Sequence, residues 1–284
     1  MGHHYVPRRY LQNFQDGRCP GCIWMFDRAS GQSRQASIKN VAQEACFYVP
    51  DVEVELNETV EKPANPVIEK LLRRECPTPE EKLSLALYIT VMLKRVPYRR
   101  QRALALVPQV LDNTITEVRD WLMSLVGDPG VDQAVLEERL GQVDAIYEKY
   151  KCEPPAEVIK RIREPWPTGE MIELVQHMTW TVLETSGPSF FITCDNPVFY
   201  FRAYGLKNQD AEVCFPLSTR YALHCCWRKT NTDVLFVSAP QSFVREINRR
   251  LASTTARFAF YHEHAEWVHR ILSKESPRLS RIRW

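Results

Sequence analysis

The sequence predicts an α+β fold: a helical middle bundle packed on a mainly antiparallel sheet formed by the C-terminal part with an N-terminal hairpin. Three observations predict it. Residues from about 61 to 165 carry apolar side chains at helical spacing. Residues 166–284 change to short β-branched and aromatic runs separated by turn residues. Residues 1–60 hold one such run, "CIWMFDR", a turn signal, "ASGQ", and a returning run, "SRQASIKNV". These three regions, 1–60, 61–165 and 166–284, are read as parts of one continuous domain.

The elements follow in order. Pro7 suits the first turn of a helix and "RRYLQNF" continues it, with Tyr10, Leu11 and Phe14 as its anchoring face. "TPEEKLSLALYITVMLKRV" opens with a capping box, Thr78 to Glu81, and has Pro79 at the first helical position. Its apolar run is wide, so the helix from about Pro79 to Arg95 is expected to be largely buried. Pro97 disfavours helix at Val96 and ends it. Two further helical stretches follow, separated by "GDPG", a loop signal. "MTWTVLET" and "SFFITC" flank "SGP" and predict a hairpin. "AEVCFPLSTRYALHCCW", "DVLFVSAP" and "ARFAFY" predict strands, and "SFVREINRRLAS" an amphipathic helix with Phe243, Val244, Ile247 and Leu251 on one face.

Composition limits the function. Hydrophobic residues make up 44% and charged residues 25%, which is ordinary for a globular chain able to bury a sizeable core. The net charge of +2 gives the whole molecule no electrostatic preference, although arginines cluster in "KRVPYRRQR" and "SPRLSRIRW". The apolar run Leu83–Leu93 is too short to cross a bilayer, so no membrane association is expected. No secretory or myristoylation pattern is read at the start. The nine cysteines fall mostly in core-like stretches, which predicts reduced thiols and a cytoplasmic location. The single C-x-x-C, Cys19 to Cys22, lacks a second pair, so structural zinc is disfavoured. P-loop, Rossmann, zincin and EF-hand signatures are absent, as is a serine-hydrolase elbow around Ser218.

The blocks "HHYVPRRYLQNF", "IWMFDRASGQSRQASIKNVAQEACFY", "LKRVPYRR", "FFITCDNPV", "FPLST" and "REINRRLA" occur in this order. Together they resemble the bacterial HYVP-motif family called domain of unknown function 4238, from His3 to about Tyr261. The resemblance implies a shared fold and a shared site, without a settled chemistry. It favours His4, beside "YVP", as the motif histidine.

The candidate catalytic residues are His4, Asp195 and Asn196. His4 can serve as an acid or base near neutral pH. Adjacent histidines in extended chain face opposite sides, so one of His3 and His4 is expected to enter a site. Asp195 follows a predicted strand, where it can hold a metal, orient a histidine or act as a base; "DNP" is equally a turn initiator. The candidate substrate-binding residues are Arg8, Arg9, Lys39, Arg95 and Asn248. Arg95 either complements a helix C-terminus or clamps a phosphate bidentately. Asn248, near an apolar stripe, satisfies a loop backbone or faces a pocket. His4 is expected to share a pocket with Asp195 or Asn196, at an anion-attracting helix start.

This set predicts a phosphodiester-cleaving, nuclease-like enzyme, with a divalent metal compatible but not specified. The partner is then a nucleic acid or another phosphate-bearing ligand. The alternative is a non-catalytic nucleic-acid or protein binding module. Deleting residues 1–6 is expected to abolish function and spare stability.

Overall fold

The computed structural model describes residues 2–45, 47–48, 50–201, 205–273 and 279–282. The chain divides into two compact units, residues 1–96 with 165–284, and residues 97–164. Residues 61–96, assigned from sequence to the middle region, therefore belong to the larger unit.

In the larger unit, β1 (Gly2–His4) leads through Pro7 into α1 (Arg8–Gln12), a helix of five residues. The antiparallel hairpin β2 (Cys22–Asp27) and β3 (Gln32–Ser37) follows, turning at Gly31, whose φ of 68° suits glycine. A single 3-10 turn (Ile38–Asn40) leads to β4 (Gln43–Ala45), which pairs antiparallel with β1. Then comes a long helical run: α2 (Pro50–Glu55), a π-helical segment (Leu56–Glu61) and α3 (Lys62–Leu72).

The expected central helix is α4 (Pro79–Lys94). Its capping box forms as read: the Thr78 hydroxyl accepts from the Glu81 amide and the Glu81 carboxylate accepts from the Thr78 amide. Leu85, Ala86, Tyr88, Ile89, Val91, Met92 and Leu93 are buried, as the wide apolar face predicts. They share one core with Tyr10 and Phe14 of the α1 region and with Trp180, Val213 and Phe215 of the sheet.

In the smaller unit, α5 (Pro97–Met123), α6 (Gln133–Tyr150) and α7 (Ala156–Arg163) form a helical cluster. Asp132 caps α6 by accepting from the amides of Ala134 and Val135. Ile115, Leu122 and Leu136 are its buried apolar residues, while Val110 and Trp121 are 60% and 62% exposed. A 68-residue segment with so small an interior has little core of its own.

The larger unit resumes with α8 (Gly169–His177), β5 (Thr179–Thr185), β6 (Thr193–Cys194), β7 (Phe199–Tyr200), β8 (Glu212–Pro216), β9 (Tyr221–Cys226), β10 (Val234–Ala239), α9 (Gln241–Thr254), β11 (Phe258–Tyr261) and α10 (Glu266–Leu272). One sheet runs β10-β5-β9-β8-β7 and the other β3-β2-β11-β6. The hairpin expected between "MTWTVLET" and "SFFITC" does not form. β5 pairs with β9 and, in parallel, with β10, whereas β6 joins the other sheet beside β11. The turn signal is real, but it carries the chain between sheets. Long-range pairing of two strongly apolar strands overrides the local pattern.

The cysteines divide by environment. Cys194, Cys214 and Cys225 are buried and free, as expected, while Cys76 and Cys152 are exposed. Cys19 and Cys22 are joined as a disulfide, a departure from the all-thiol expectation. Burial pushes the Cys194 thiol up to about 12 and the Cys214 thiol up to about 11. In native protein, iodoacetamide is therefore expected to label Cys76 and Cys152 first, with Cys194, Cys214 and Cys225 reacting only in denaturant. Peptide mass spectrometry of timed labelling checks this; early labelling of Cys194 would contradict it.

Candidate functional site

The site is built on the first turn of chain. β1 alternates its side chains as extended backbone must, so His3 and His4 face opposite ways. The Tyr48 amide donates to His3 Nδ1 at 2.9 Å, and His3 Nε2 lies 3.3 Å from a Glu53 carboxylate oxygen. His3 is thereby fixed with its proton on Nε2, as a clip between β1 and α2. His4 turns to the other side. Its Nε2 is buried and has no hydrogen-bond partner among the described residues.

His4 lines a cavity of about 560 Å³ with Arg8, Arg9, Gln12 and Arg95. The opposite wall is the α2–π segment, which contributes Glu53, Asn57, Glu58 and Glu61. A π-helical stretch has wider turns than an α-helix and recurs at functional sites, because it re-aims side chains. Here it places Asn57, Glu58 and Glu61 on the cavity.

Arg95 ties these parts together. Only 3% exposed, it pairs with Glu61 at 2.7 Å through one guanidinium nitrogen. A second nitrogen donates to the His4 carbonyl at 2.6 Å. The guanidinium also lies over the Tyr48 ring, 5.8 Å from its centroid, and the Tyr48 hydroxyl donates to the Arg95 carbonyl. Arg95 thus fixes the backbone of His4, itself a residue of the cavity wall. Its remaining Nε is buried and unpartnered among the described residues.

The electrostatics favour a neutral His4. Burial lowers its pKa below 6.5, and Arg8 lowers it further; backbone groups of Lys39 and Ile38 and the Glu53 charge oppose this without reversing it. Arg9 pairs with Glu69 across the surface. Arg8 is exposed and makes no ion pair or hydrogen bond among the described residues, so its charge is available at the cavity mouth. A second cavity, of about 280 Å³, shares Arg8 and Gln12 with the first and is lined further by Ser37, Ile38, Lys39 and Cys22. Lys39 therefore adjoins the His4 cavity through Arg8.

Four of the eight residues singled out from sequence, His4, Arg8, Arg9 and Arg95, meet in one cavity, and Lys39 lies in the next. Asp195, Asn196 and Asn248 do not line either. The Asp195 carboxylate accepts from the amides of Ala256, Arg257 and Phe258. The Asn196 amide donates to the Thr254 carbonyl at 3.2 Å. Asn248 accepts from the Ile192 amide and donates to the Phe190 carbonyl, the loop-backbone use of a polar group near an apolar stripe. Neither of these two cavities brings His4 together with Asp195 or Asn196. The carboxylates at the cavity are Glu53, Glu58 and Glu61, hidden in sequence because "DVEVELNETVE" reads only as an acidic helix. Among the described residues, no three His, Cys, Asp or Glu side chains are grouped to hold a metal ion.

Two further expectations change. With five residues, α1 is too short to supply the anticipated helix-dipole anion site. Deleting residues 1–6 will not spare stability: it removes the β1–β4 pairing, the buried Tyr5 and Val6, and the acceptor of Arg95. A fall in melting temperature of about 10 °C or more is expected by calorimetry, from about 3–5 kcal/mol of lost packing and hydrogen bonding. An unchanged melting temperature would contradict the packing described. The opening stretch is structural as well as cavity-lining, so the role of His4 has to be tested by point substitution.

A family model described as protein of unknown function DUF4238 matches residues 2–265. The chain belongs to that family. The DUF4238 match takes in every residue of both cavities, from His4 and Arg8 to Arg95, and also Asp195 and Asn248. No curated protein and no solved structure matches the chain. No described helix is long and apolar enough to cross a membrane.

Proposed function

We propose that the His4 cavity binds a phosphate-bearing chain and cleaves its phosphodiester, a nuclease-like hydrolysis. The observation that carries this reading is a neutral histidine in the wall of a cavity, its buried Nε2 without a hydrogen-bond partner among the described residues, beside an exposed arginine with no ion pair among them. A buried polar atom without a partner calls for one from a ligand or solvent. A neutral imidazole can take a proton from an attacking water or hydroxyl. Arg8 supplies positive charge where a phosphoryl group gains negative charge in the transition state. The two adjoining cavities that share Arg8, with Lys39 in the second and Arg9 at the rim of the first, suit a ligand with successive anionic groups. Arg95 acts by holding the His4 backbone. The buried free thiols Cys194, Cys214 and Cys225 favour a cytoplasmic setting for this activity, against which the Cys19–Cys22 disulfide weighs.

The test measures single-stranded oligonucleotide binding by fluorescence anisotropy, with cleavage followed on a gel in the presence and absence of Mg²⁺. Arg8→Ala and Lys39→Ala are expected each to weaken binding and to reduce its salt dependence, each removing about one phosphate contact. Binding without cleavage would replace the enzyme by a non-catalytic nucleic-acid module using the same surface. No binding in low salt would remove both.

Cleavage should also carry an acid limb below pH 6.5, because the His4 pKa is lowered and the base form persists to lower pH than in an ordinary histidine. The same shift has a stability sign. A base harder to protonate when folded adds stability that is present above 6.5 and lost as pH falls through the folded value. A pH–rate profile with its limb above 6.5 would contradict the assignment of His4 as base.

A further inference from the structure

The longest described helix, α5, shows an apolar stripe to solvent. At about 100° per residue, Ala103, Leu106, Val110 and Trp121 fall within about 40° of one line along the helix. Leu106, Val110 and Trp121 are 44%, 60% and 62% exposed. The buried Ile115 and Leu122 lie about 120–140° away round the same helix, so the stripe is not the face that serves the interior of this unit. Single exposed apolar residues are ordinary. A row of them on one face, ending in an exposed tryptophan, marks an interaction surface.

The charges along this face divide by end. Arg102 stands in its N-terminal part, and Glu117 and Asp120 in its C-terminal part, all three exposed. Arg119, the one cation in the C-terminal half of α5, lies on the opposite side of the helix and pairs with Asp144. A face that is basic at its start and acidic at its end is complementary to itself when turned end for end. Two copies laid parallel would instead set like charges together.

We infer that this face pairs with the same face of a second copy of the chain, in an antiparallel two-fold contact of α5 with α5. Such a contact is isologous: whatever i makes with j of the other copy, j makes with i. Ala103 and Trp121 are eighteen residues apart, which is five turns, and so are Arg102 and Asp120. Each pair therefore shares one line along the helix, and a two-fold of this kind keeps a given flank of one helix against the same flank of the other. The register that seats Trp121 on Ala103 sets Leu106 against Val118 and Val110 against Thr114. It brings Arg102 to within two residues, about 3 Å along the axis, of the position facing Asp120. A tryptophan over a small residue supplies the aromatic anchor of an interface, at both ends by symmetry. The Arg102–Asp120 pairs at the rim fix the antiparallel orientation. This contact does not depend on the reading of the His4 cavity.

Analytical ultracentrifugation of the full chain reads the contact, under reducing conditions so that the exposed Cys76 and Cys152 form no bridges. A dimer whose population rises with concentration is expected below about 100 µM. Val110→Asp should raise the dissociation constant by about tenfold or more, with an unchanged circular dichroism spectrum. Arg102→Glu and Asp120→Arg should each weaken self-association by about tenfold, because each sets like charges together at both ends of the pair. Mixed with one another, these two charge variants should associate about as well as the unaltered chain, since every pair across the two-fold is again opposite in sign. Misfolding of either variant would not produce that recovery. If Val110→Asp fails to fold, the charge variants at exposed positions decide. A chain that stays monomeric at about 100 µM overturns the proposal and leaves the face to a different protein. A dimer indifferent to these substitutions, or folded charge variants that do not recover on mixing, overturns it equally.

Discussion

Asp195→Ala is expected to destabilise the protein by about 3–5 kcal/mol, the largest effect of any single substitution at the residues considered for the site. Asp195 is 5% exposed and follows directly on β6. Its two oxygens accept from the amides of Ala256, Arg257 and Phe258 at 2.9, 2.7 and 2.8 Å, and its own amide donates to the Phe258 carbonyl. Those three donors are where the chain leaves α9 and enters β11, so one carboxylate organises the corner of the four-stranded sheet. Alanine would leave three backbone donors without that acceptor, each at a cost of about 1–3 kcal/mol before relaxation. Asparagine should fall in between, since it keeps one acceptor oxygen but turns an NH2 group toward an N–H donor. Urea unfolding reads this directly: the midpoint falls steeply for Asp195→Ala and less for Asp195→Asn. A loss under about 1 kcal/mol for Asp195→Ala would show that the carboxylate is not the anchor of this corner.

His4→Gln is expected to behave in the opposite way, lowering phosphodiester cleavage by about 10²–10⁴-fold with little change in stability. The reason is the division of labour within one residue. The His4 carbonyl, which Arg95 holds at 2.6 Å, and the strand pairing of its backbone survive the substitution. The imidazole, whose Nε2 has no hydrogen-bond partner among the described residues, is what is lost. Glutamine is close in size and polar, so the cavity wall remains, but it cannot accept a proton at neutral pH. The same change at His3 should cost stability instead, because His3 Nδ1 accepts from Tyr48 and its Nε2 reaches Glu53. The two neighbouring histidines therefore provide an internal control. Loss of melting temperature with His4→Gln equal to that with His3→Gln would assign both to structure.

What the sequence made legible was mostly local. The Thr78–Glu81 capping box, the wide apolar face of α4 and the stripe on α9 are encoded within a few turns of chain, and each forms as read. β8 and β9, read from sequence as strands, pair antiparallel across a short loop. Partners distant in the chain were not legible. β5 and β6 look like two arms of a hairpin because the pattern cannot reveal that β10, some fifty residues on, offers β5 a parallel neighbour. Glu61 and Arg95 meet across 34 residues, and the π-helical segment that aims Glu61 has no signature in "LNETVE". The site was half legible for the same reason. His4, Arg8, Arg9 and Arg95 come from segments that converge, whereas Asp195 sits at an equally plausible strand end that the topology turns to another purpose. The buried ion pairs of Glu212 on β8 with His224 on β9 and Arg250 on α9 were invisible too, because all three lie in ordinary strand and helix patterns.

The central claim, that the His4 cavity is where the chain acts on a phosphate ester, is tested most directly by the turnover of bis(4-nitrophenyl) phosphate. The comparison is between unaltered protein, His4→Gln and Asp195→Asn, each at a temperature where circular dichroism shows it folded, with and without Mg²⁺. Turnover by the unaltered protein, its loss in His4→Gln and its retention in folded Asp195→Asn is the result predicted. Equal turnover by the unaltered protein and His4→Gln, or loss in folded Asp195→Asn with His4→Gln still active, would contradict it.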